Sequence, residues 1–355
     1  MTHGLVIGKF YPPHAGHHHL IDTAAAACET VTVVVAAASS ETVPLADRAA
    51  WLREAHPQPN VHFAAVLDDV PVDYDDADVW SAHVEVFRHG LRSLWGTEPV
   101  IDAVFGSEPY VEELARRFGA RALLVDVARE AFPVSGTAVR ADPPATWHHL
   151  SPAVRAALAR RVVVVGAESS GTTTLARSLA AAYAARGGVW AATRWVPEYG
   201  RTYCEEKLGR TRLTSPDAWL DDLPWESSEF RLIMDRQLAW EDAAARTGSP
   251  LLVCDTDAFA TTVWHERYLN LPLEEHPAAR HDLWILTDVH GVPFEQDGWR
   301  DGETIREAMH DRFTVELKGR RHLLVTGTPA ERLAQAVAAV DALLAEGWRF
   351  GAPPG

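Results

Sequence analysis

The sequence predicts an α/β protein of two domains, each built around a parallel β-sheet, and three observations carry that expectation. The chain has 355 residues, beyond the size at which one hydrophobic core usually keeps growing. Short β-branched runs alternate with Ala-rich segments of helical pattern, the signature of parallel sheets covered by helices. A strand, a glycine-bearing loop and a helix occur in that order at the start of the chain and again near residue 160.

The first strand is Leu5-Val6-Ile7, followed by a Gly/Pro/His loop and an apolar helix from His18 to Cys28. Val31-Thr32-Val33-Val34-Val35 suits a strand buried on both faces and completes a β-α-β unit. The pattern then predicts helix Leu45 to Ala55, strand Val61 to Val66, a helix around Val79 to Leu94, strand Ala103 to Phe105, helix Val111 to Phe118 and strand Ala122 to Val125. Pro143-Pro144 and Ser151-Pro152 flank closing helices and a link. A new strand, Val162 to Val165, feeds Gly166 to Gly171 and a helix from Thr172 to about Arg186, after which strands Leu251 to Cys254, Leu283 to Leu286 and His322 to Val325 continue the alternation. The expected domains are residues 1–155 and 160–348, with a frayed tail from Gly351 to Gly355.

Apolar residues make up 47% of the chain and charged residues 23%, a composition that folds. A formal net charge of −16 opposes attraction to nucleic-acid backbones, so small ligands in local cationic pockets are expected instead. Cys28, Cys204 and Cys254 are an odd, widely spaced set that fits neither a disulfide framework nor a zinc site, which points to a reducing cytoplasm. No run of about 18 apolar residues occurs, so neither a membrane span nor a signal peptide is expected.

His14-Ala15-Gly16-His17 lies between the first strand and first helix, where a doubly wound sheet places its ligand crevice. Gly16 lets backbone approach a phosphate, the helix start offers free N–H groups, and the imidazoles suit donation to charge developing on a phosphate. Solvated loop histidines are the plainer alternative for the tetrad alone. His18 and His19 extend the run, but successive helix positions do not share a face, so a metal patch is not expected. The acidic stretch from Asp68-Asp69 to Asp75-Asp76-Asp78 reads as a solvated loop.

With Gly8-Lys9-Phe10-Tyr11-Pro12-Pro13 before it, the tetrad resembles the opening motif of the nucleotidyltransferase superfamily. Val134-Ser135-Gly136-Thr137-Ala138-Val139-Arg140 resembles its second signature, with valine for the usual isoleucine. Pro44 to Glu54, Phe105 to Tyr110 and Asp126 extend the likeness to the NadR type of nicotinamide-mononucleotide adenylyltransferase over roughly the first 140 residues. That resemblance implies a Rossmann-like domain in which the mononucleotide phosphate attacks the ATP α-phosphorus with magnesium present and pyrophosphate leaving. It implies His14 and His17 at the reacting phosphate, Lys9 and Arg140 as supporting cations, and Gly8, Phe10, Gly16, Ser135, Gly136 and Thr137 around ATP. Trp51 is a candidate for stacking near nicotinamide, against the plainer reading of a core tryptophan.

The second glycine loop, Gly166-Ala167-Glu168-Ser169-Ser170-Gly171 followed by Thr172-Thr173-Thr174, has the strand-loop-helix context of a phosphate-binding loop. Its departure is Thr172, which stands where such loops carry the lysine that meets the β/γ-phosphates. Thr173 retains the hydroxyl expected to hold magnesium. Strand Leu251 to Cys254 ends at Asp255-Thr256-Asp257, which puts candidate carboxylates for magnesium or for the substrate hydroxyl proton at its C-terminal edge; helix capping is the alternative for one of them. This loop, Pro197-Glu198-Tyr199-Gly200-Arg201 and Asp255 to Trp264 resemble the ribosylnicotinamide kinase half of the same family, and Asp297-Gly298-Trp299-Arg300 resembles its mobile arginine-bearing region.

The resemblance implies a P-loop kinase domain that phosphorylates nicotinamide riboside with ATP and magnesium, with Glu198, Tyr199 and Arg201 toward the substrate. The family's DNA-binding helix-turn-helix has no counterpart ahead of a first strand starting at Gly4, so no repressor role is expected. Nicotinamide mononucleotide, nicotinamide riboside and ATP are the expected partners, and a homo-oligomer is compatible with the sequence. Two alternatives stand: a P-loop domain that only senses nucleotide, and an adenylyltransferase for another acceptor such as pantetheine phosphate or flavin mononucleotide.

Overall fold

The computed structural model describes residues 1–73, 75–295 and 303–351, so Asp297-Gly298-Trp299-Arg300 lies outside the described residues. The chain divides into two units, Met1–Val154 with Trp348–Gly355, and Arg155–Gly347.

In the first unit the order is β1 (His3–Gly8), α1 (Ala15–Ala27), β2 (Thr30–Ala37), α2 (Leu45–Ala55), β3 (Val61–Leu67), α3 (Ala77–Trp95), β4 (Ala103–Gly106), α4 (Val111–Phe118), β5 (Arg121–Leu124), α5 (Gly136–Ala141) and α6 (Pro143–Thr146). The strands form one parallel sheet in the order β3-β2-β1-β4-β5. Strand alternation explains the core: Leu5, Ile7, Val34 and Val104 pack on one face with Trp80, Val84 and Leu91, while Val6, Val33, Val35 and Phe105 pack on the other with Leu20, Ile21 and Leu52. Burying a leucine such as Leu52 contributes roughly 1.5–3 kcal/mol. The first helix starts at Ala15 rather than near His18, so His14 is its N-cap and His17 lies in its first turn.

α7 (Pro152–Leu158) leads into the second unit: β6 (Arg160–Val165), α8 (Thr172–Ala184), β7 (Arg194–Val196), α9 (Tyr199–Arg212), α10 (Ser227–Thr247), β8 (Leu251–Asp255), α11 (Ala258–Leu269), β9 (Leu283–Thr287), α12 (Arg306–Glu316), β10 (His322–Val325) and α13 (Pro329–Ala345). Its parallel sheet runs β10-β9-β6-β8-β7, with Val164 beside Asp255. Val162, Val164, Val253 and Ile285 pack against Leu175, Leu179 and Tyr183 of α8 and Val340 and Leu343 of α13.

In each sheet the chain order reverses beside the central strand, between β1 and β4 and between β6 and β8. Helices leave the two neighbours toward opposite faces there, which opens a crevice at the strands' C-terminal ends. Both candidate sites lie at these points. Among the described residues no helix is long and apolar enough to cross a membrane.

Candidate active sites

The first cleft, of about 530 Å³, is lined by Gly8, Lys9, Phe10, Tyr11, His14, Gly16, His17, Ser135, Gly136, Thr137 and Arg140. The His14 and His17 rings stack at 3.7 Å between centroids, and Phe10 meets His17 edge-on at 4.9 Å. Glycine at position 16 suits this packing, because a Cβ there would lie 3.3 Å from the His14 ring, a tight contact. Burial first, then neighbouring cationic and imidazole groups, pushes His14 down to about 3 and His17 well below the ordinary histidine range. Both rings are therefore neutral near pH 7, and the buried Nδ1 atom of each has no protein partner. Two uncharged imidazoles thus line the cleft.

Arg140 joins the two motifs, since its Nη1 donates to Tyr11 O at 2.7 Å and its Nη2 to Thr137 Oγ1 at 3.3 Å. The Tyr11 ring lies between Arg140 (5.2 Å) and Arg48 (4.3 Å). Arg48, fully buried, donates to Lys9 O at 3.0 Å and pairs with Glu41 at 2.6 Å, and Lys9 reaches the other Glu41 oxygen at 3.7 Å. Ser135 caps α5 by accepting from Ala138 N at 3.1 Å. Asp126 organises the loop before it by accepting from the backbone N–H groups of Glu130, Ala131 and Phe132.

Trp51 does not line this cleft. Trp80 on α3 does line it, with Asp68, His83, Phe87 and Tyr110. Asp68 and His83 pair at 2.7 Å, so one member of the acidic stretch read as solvated is buried at the cleft wall. No group of metal-ligand atoms forms on His17, His18 and His19 among the described residues. His18 instead bonds to His56 at 2.9 Å, and His56 to Asp22 at 3.0 Å.

The second cleft, of about 170 Å³, is lined by Gly166, Glu168, Ser169, Thr172, Thr173, Glu198, Arg201 and Asp255, with Trp225, Trp264 and Tyr268. Gly166 has no room for a side chain: a Cβ would sit 2.3 Å from Thr287 Oγ1. Thr173 donates to Asp255 Oδ2 at 2.5 Å. Burial raises Asp255 to about 6, against the hydrogen bonds from Thr173 and Thr172. Glu198 is raised to about 8 by desolvation and then by the nearby Asp255 and Glu168 carboxylates.

Several expected members of this site are elsewhere. Asp257 caps α11 by accepting from Ala260 N at 2.7 Å, accepts from Trp284 Nε1 at 2.8 Å and lies 3.4 Å from His281. Between the two aspartates Thr256 takes a left-handed φ of 71°, and Asp257 faces a buried network that runs through His281 to Glu241 and Arg161, outside the cleft lining. Tyr199 packs edge-on against Trp240 at 4.9 Å and does not line the cleft, unlike its neighbours Glu198 and Arg201. Ser170 turns inward, bonded to Ala167 O and Thr287 at 2.6 Å, while Gly171 and Thr174 also lie outside the lining.

Two crevices at sheet reversal points, one carrying a paired-imidazole motif and the other a phosphate loop, define a nucleotidyltransferase-like domain followed by a P-loop domain. Residues 5–142 match the family described as Cytidylyltransferase-like, and residues 161–332 the family described as AAA domain. The trifunctional NAD biosynthesis/regulator protein NadR of Salmonella typhimurium (strain LT2) is 27% identical over 339 residues, 88% of this chain and 75% of that protein. A NadR protein in complex with NR shares the fold at a TM-score of 0.70 and 22% identity, covering 98% of this chain and 97% of that one. A NadR protein in complex with NAD and AMP-PNP does so at 0.69 and 21%, covering 96% and 95%. The chain is a homologue of the NadR proteins along both units.

Proposed function

We propose that this protein makes NAD in two steps: the second unit transfers the γ-phosphoryl of ATP to the 5′-hydroxyl of nicotinamide riboside, releasing ADP, and the first joins the resulting mononucleotide to the AMP moiety of ATP, releasing pyrophosphate. The observation that carries this reading is the meeting of the stacked His14/His17 pair with Lys9 and Arg140 at one cleft.

In the first cleft, the neutral imidazoles donate N–H bonds to the α-phosphate as negative charge grows on it, and Lys9 and Arg140 hold the remaining phosphate charge. Such preorganised donors need no covalent intermediate. Gly8, Phe10, Gly16, Ser135, Gly136 and Thr137 form the nucleotide's surroundings, and Trp80 offers the ring face for the pyridine end, in place of Trp51. In the second cleft we assign Asp255 to magnesium or to the substrate hydroxyl proton, and Glu198 with Arg201 to the ribose.

Thr173 and Asp255 are a hard-oxygen pair suited to magnesium, which when bound neutralises triphosphate charge. We place the protein in the cytoplasm, where its substrates and a reduced cysteine set belong.

The test uses the full chain in separate assays. Nicotinamide mononucleotide with Mg·ATP is expected to give NAD and pyrophosphate in equal amounts; nicotinamide riboside with Mg·ATP is expected to give ADP. Absence of pyrophosphate with this acceptor, but its release with another phosphorylated acceptor, overturns the first half. Nucleotide binding without ADP release overturns the second half and leaves a sensing module, the reading that Thr172 favours.

A further inference from the structure

The phosphate loop of the second unit lacks a lysine at Thr172, and Arg201 is the one cationic residue lining its cleft among the described residues, beside Glu168, Glu198 and Asp255.

Arg306, at the start of α12, donates from Nε to Glu168 O at 3.1 Å and from Nη2 to Ser169 O at 2.8 Å. Arg332, in the first turn of α13, donates from Nη1 to Ser170 O at 2.9 Å and from Nε to Gly327 O at 2.8 Å. Three successive carbonyls are thus drawn onto two guanidinium groups that do not line the cleft. Two further carbonyls are also occupied, Ala167 O by Ser170 and Gly171 O by Leu175 N. Ser169 (φ 59°) and Gly171 (φ 91°) take the left-handed conformations this arrangement requires. Three carbonyls held outside the cleft leave the loop's other edge to N–H donation, as in a backbone nest that holds an anion, although the Ser170 N–H is spent on Ala167 O at 3.2 Å. Arg332 is only 5% exposed, and its Nη2 is buried without a protein partner, so solvent screens its charge weakly.

We propose that Arg306 and Arg332 do from behind the phosphate loop what the missing lysine does from within it: they fix the loop's N–H groups toward the triphosphate and supply the positive field that holds it. Both are positioning residues. The inference rests on the reading of the second unit as a kinase, and it explains how that unit works with threonine at position 172.

The test uses the full chain carrying Arg306→Ala, Arg306→Lys, and Arg306→Ala combined with Thr172→Lys. Because only phosphorylation of nicotinamide riboside releases ADP and only adenylyl transfer releases pyrophosphate, each unit is read separately in one sample. Arg306→Ala is expected to raise the ATP KM of ADP release at least tenfold with a smaller change in kcat, while pyrophosphate release from the mononucleotide is unchanged. Arg306→Lys keeps the charge without the fork and should fall between. Thr172→Lys should bring the Arg306→Ala KM back to within about threefold of the starting protein, which a merely structural role for Arg306 does not allow. Calorimetric titration with Mg·AMP-PNP should show two sites per chain, one weakened at least tenfold by Arg306→Ala. An unchanged ATP KM, or a raised one that Thr172→Lys fails to lower, overturns the proposal. If the unsubstituted chain releases no ADP, the kinase reading fails, and the titration alone decides whether the arginines hold the nucleotide.

Discussion

Arg140 on α5 donates to the carbonyl of Tyr11 across 2.7 Å, joining that helix to a loop 129 residues earlier in the chain. The bond fixes the arginine of the second motif against the loop that carries the histidines, so both address one ligand. Replacing Arg140 by alanine removes a charge and frees the Tyr11 loop together. Pyrophosphate release should fall by about 10²-fold or more, on the scale of losing one preorganised donor, while ADP release from nicotinamide riboside is retained. Steady-state assays of the two products in one sample check this.

His17→Ala removes an imidazole donor and should lower kcat for NAD formation by about 10²–10³-fold. Neutrality of the pair is tested without turnover. With His14 held near 3 and His17 also low, nitrogen chemical shifts of both rings in the free protein should remain those of neutral imidazole from pH 8 down to pH 5. A titration near 6.5 would show that the pair carries charge.

Trp80 and Trp51 make a discriminating pair. Trp80→Ala should raise the KM for nicotinamide mononucleotide by about tenfold, since loss of stacking on one ring costs roughly 1–3 kcal/mol. Trp51→Phe, outside the cleft lining, should leave that KM within twofold.

Glu198 gives a stability signature. Its pKa is raised from 4.5 unfolded to about 8 folded, so between these values the native state binds more protons than the unfolded state. Stability from this group is full below about pH 4.5 and falls as pH rises through 8. Glu198→Gln should therefore raise the melting temperature of the second unit at pH 9 while leaving it nearly unchanged at pH 4. Calorimetry at both pH values checks the sign.

The sequence alone determined much of this protein. Alternating β-branched runs and Ala-rich segments specify parallel sheets through local periodicity, and the two loops that carry His14/His17 and Gly166–Thr173 declare themselves because their chemistry lies within a few consecutive residues. Residues whose role depends on direction were not legible in that way. Asp255 and Asp257 read alike in sequence, yet one faces Thr173 and the other caps a helix in the core. Trp51 and Trp80 both sit on helices, and only the packing of α2 and α3 on the sheet decides which reaches the cleft. Arg48, Arg306 and Arg332 carry no motif at all. They act on backbone carbonyls far from them in the chain, and such partners exist only once the sheet and its covering helices have brought those carbonyls within hydrogen-bond reach.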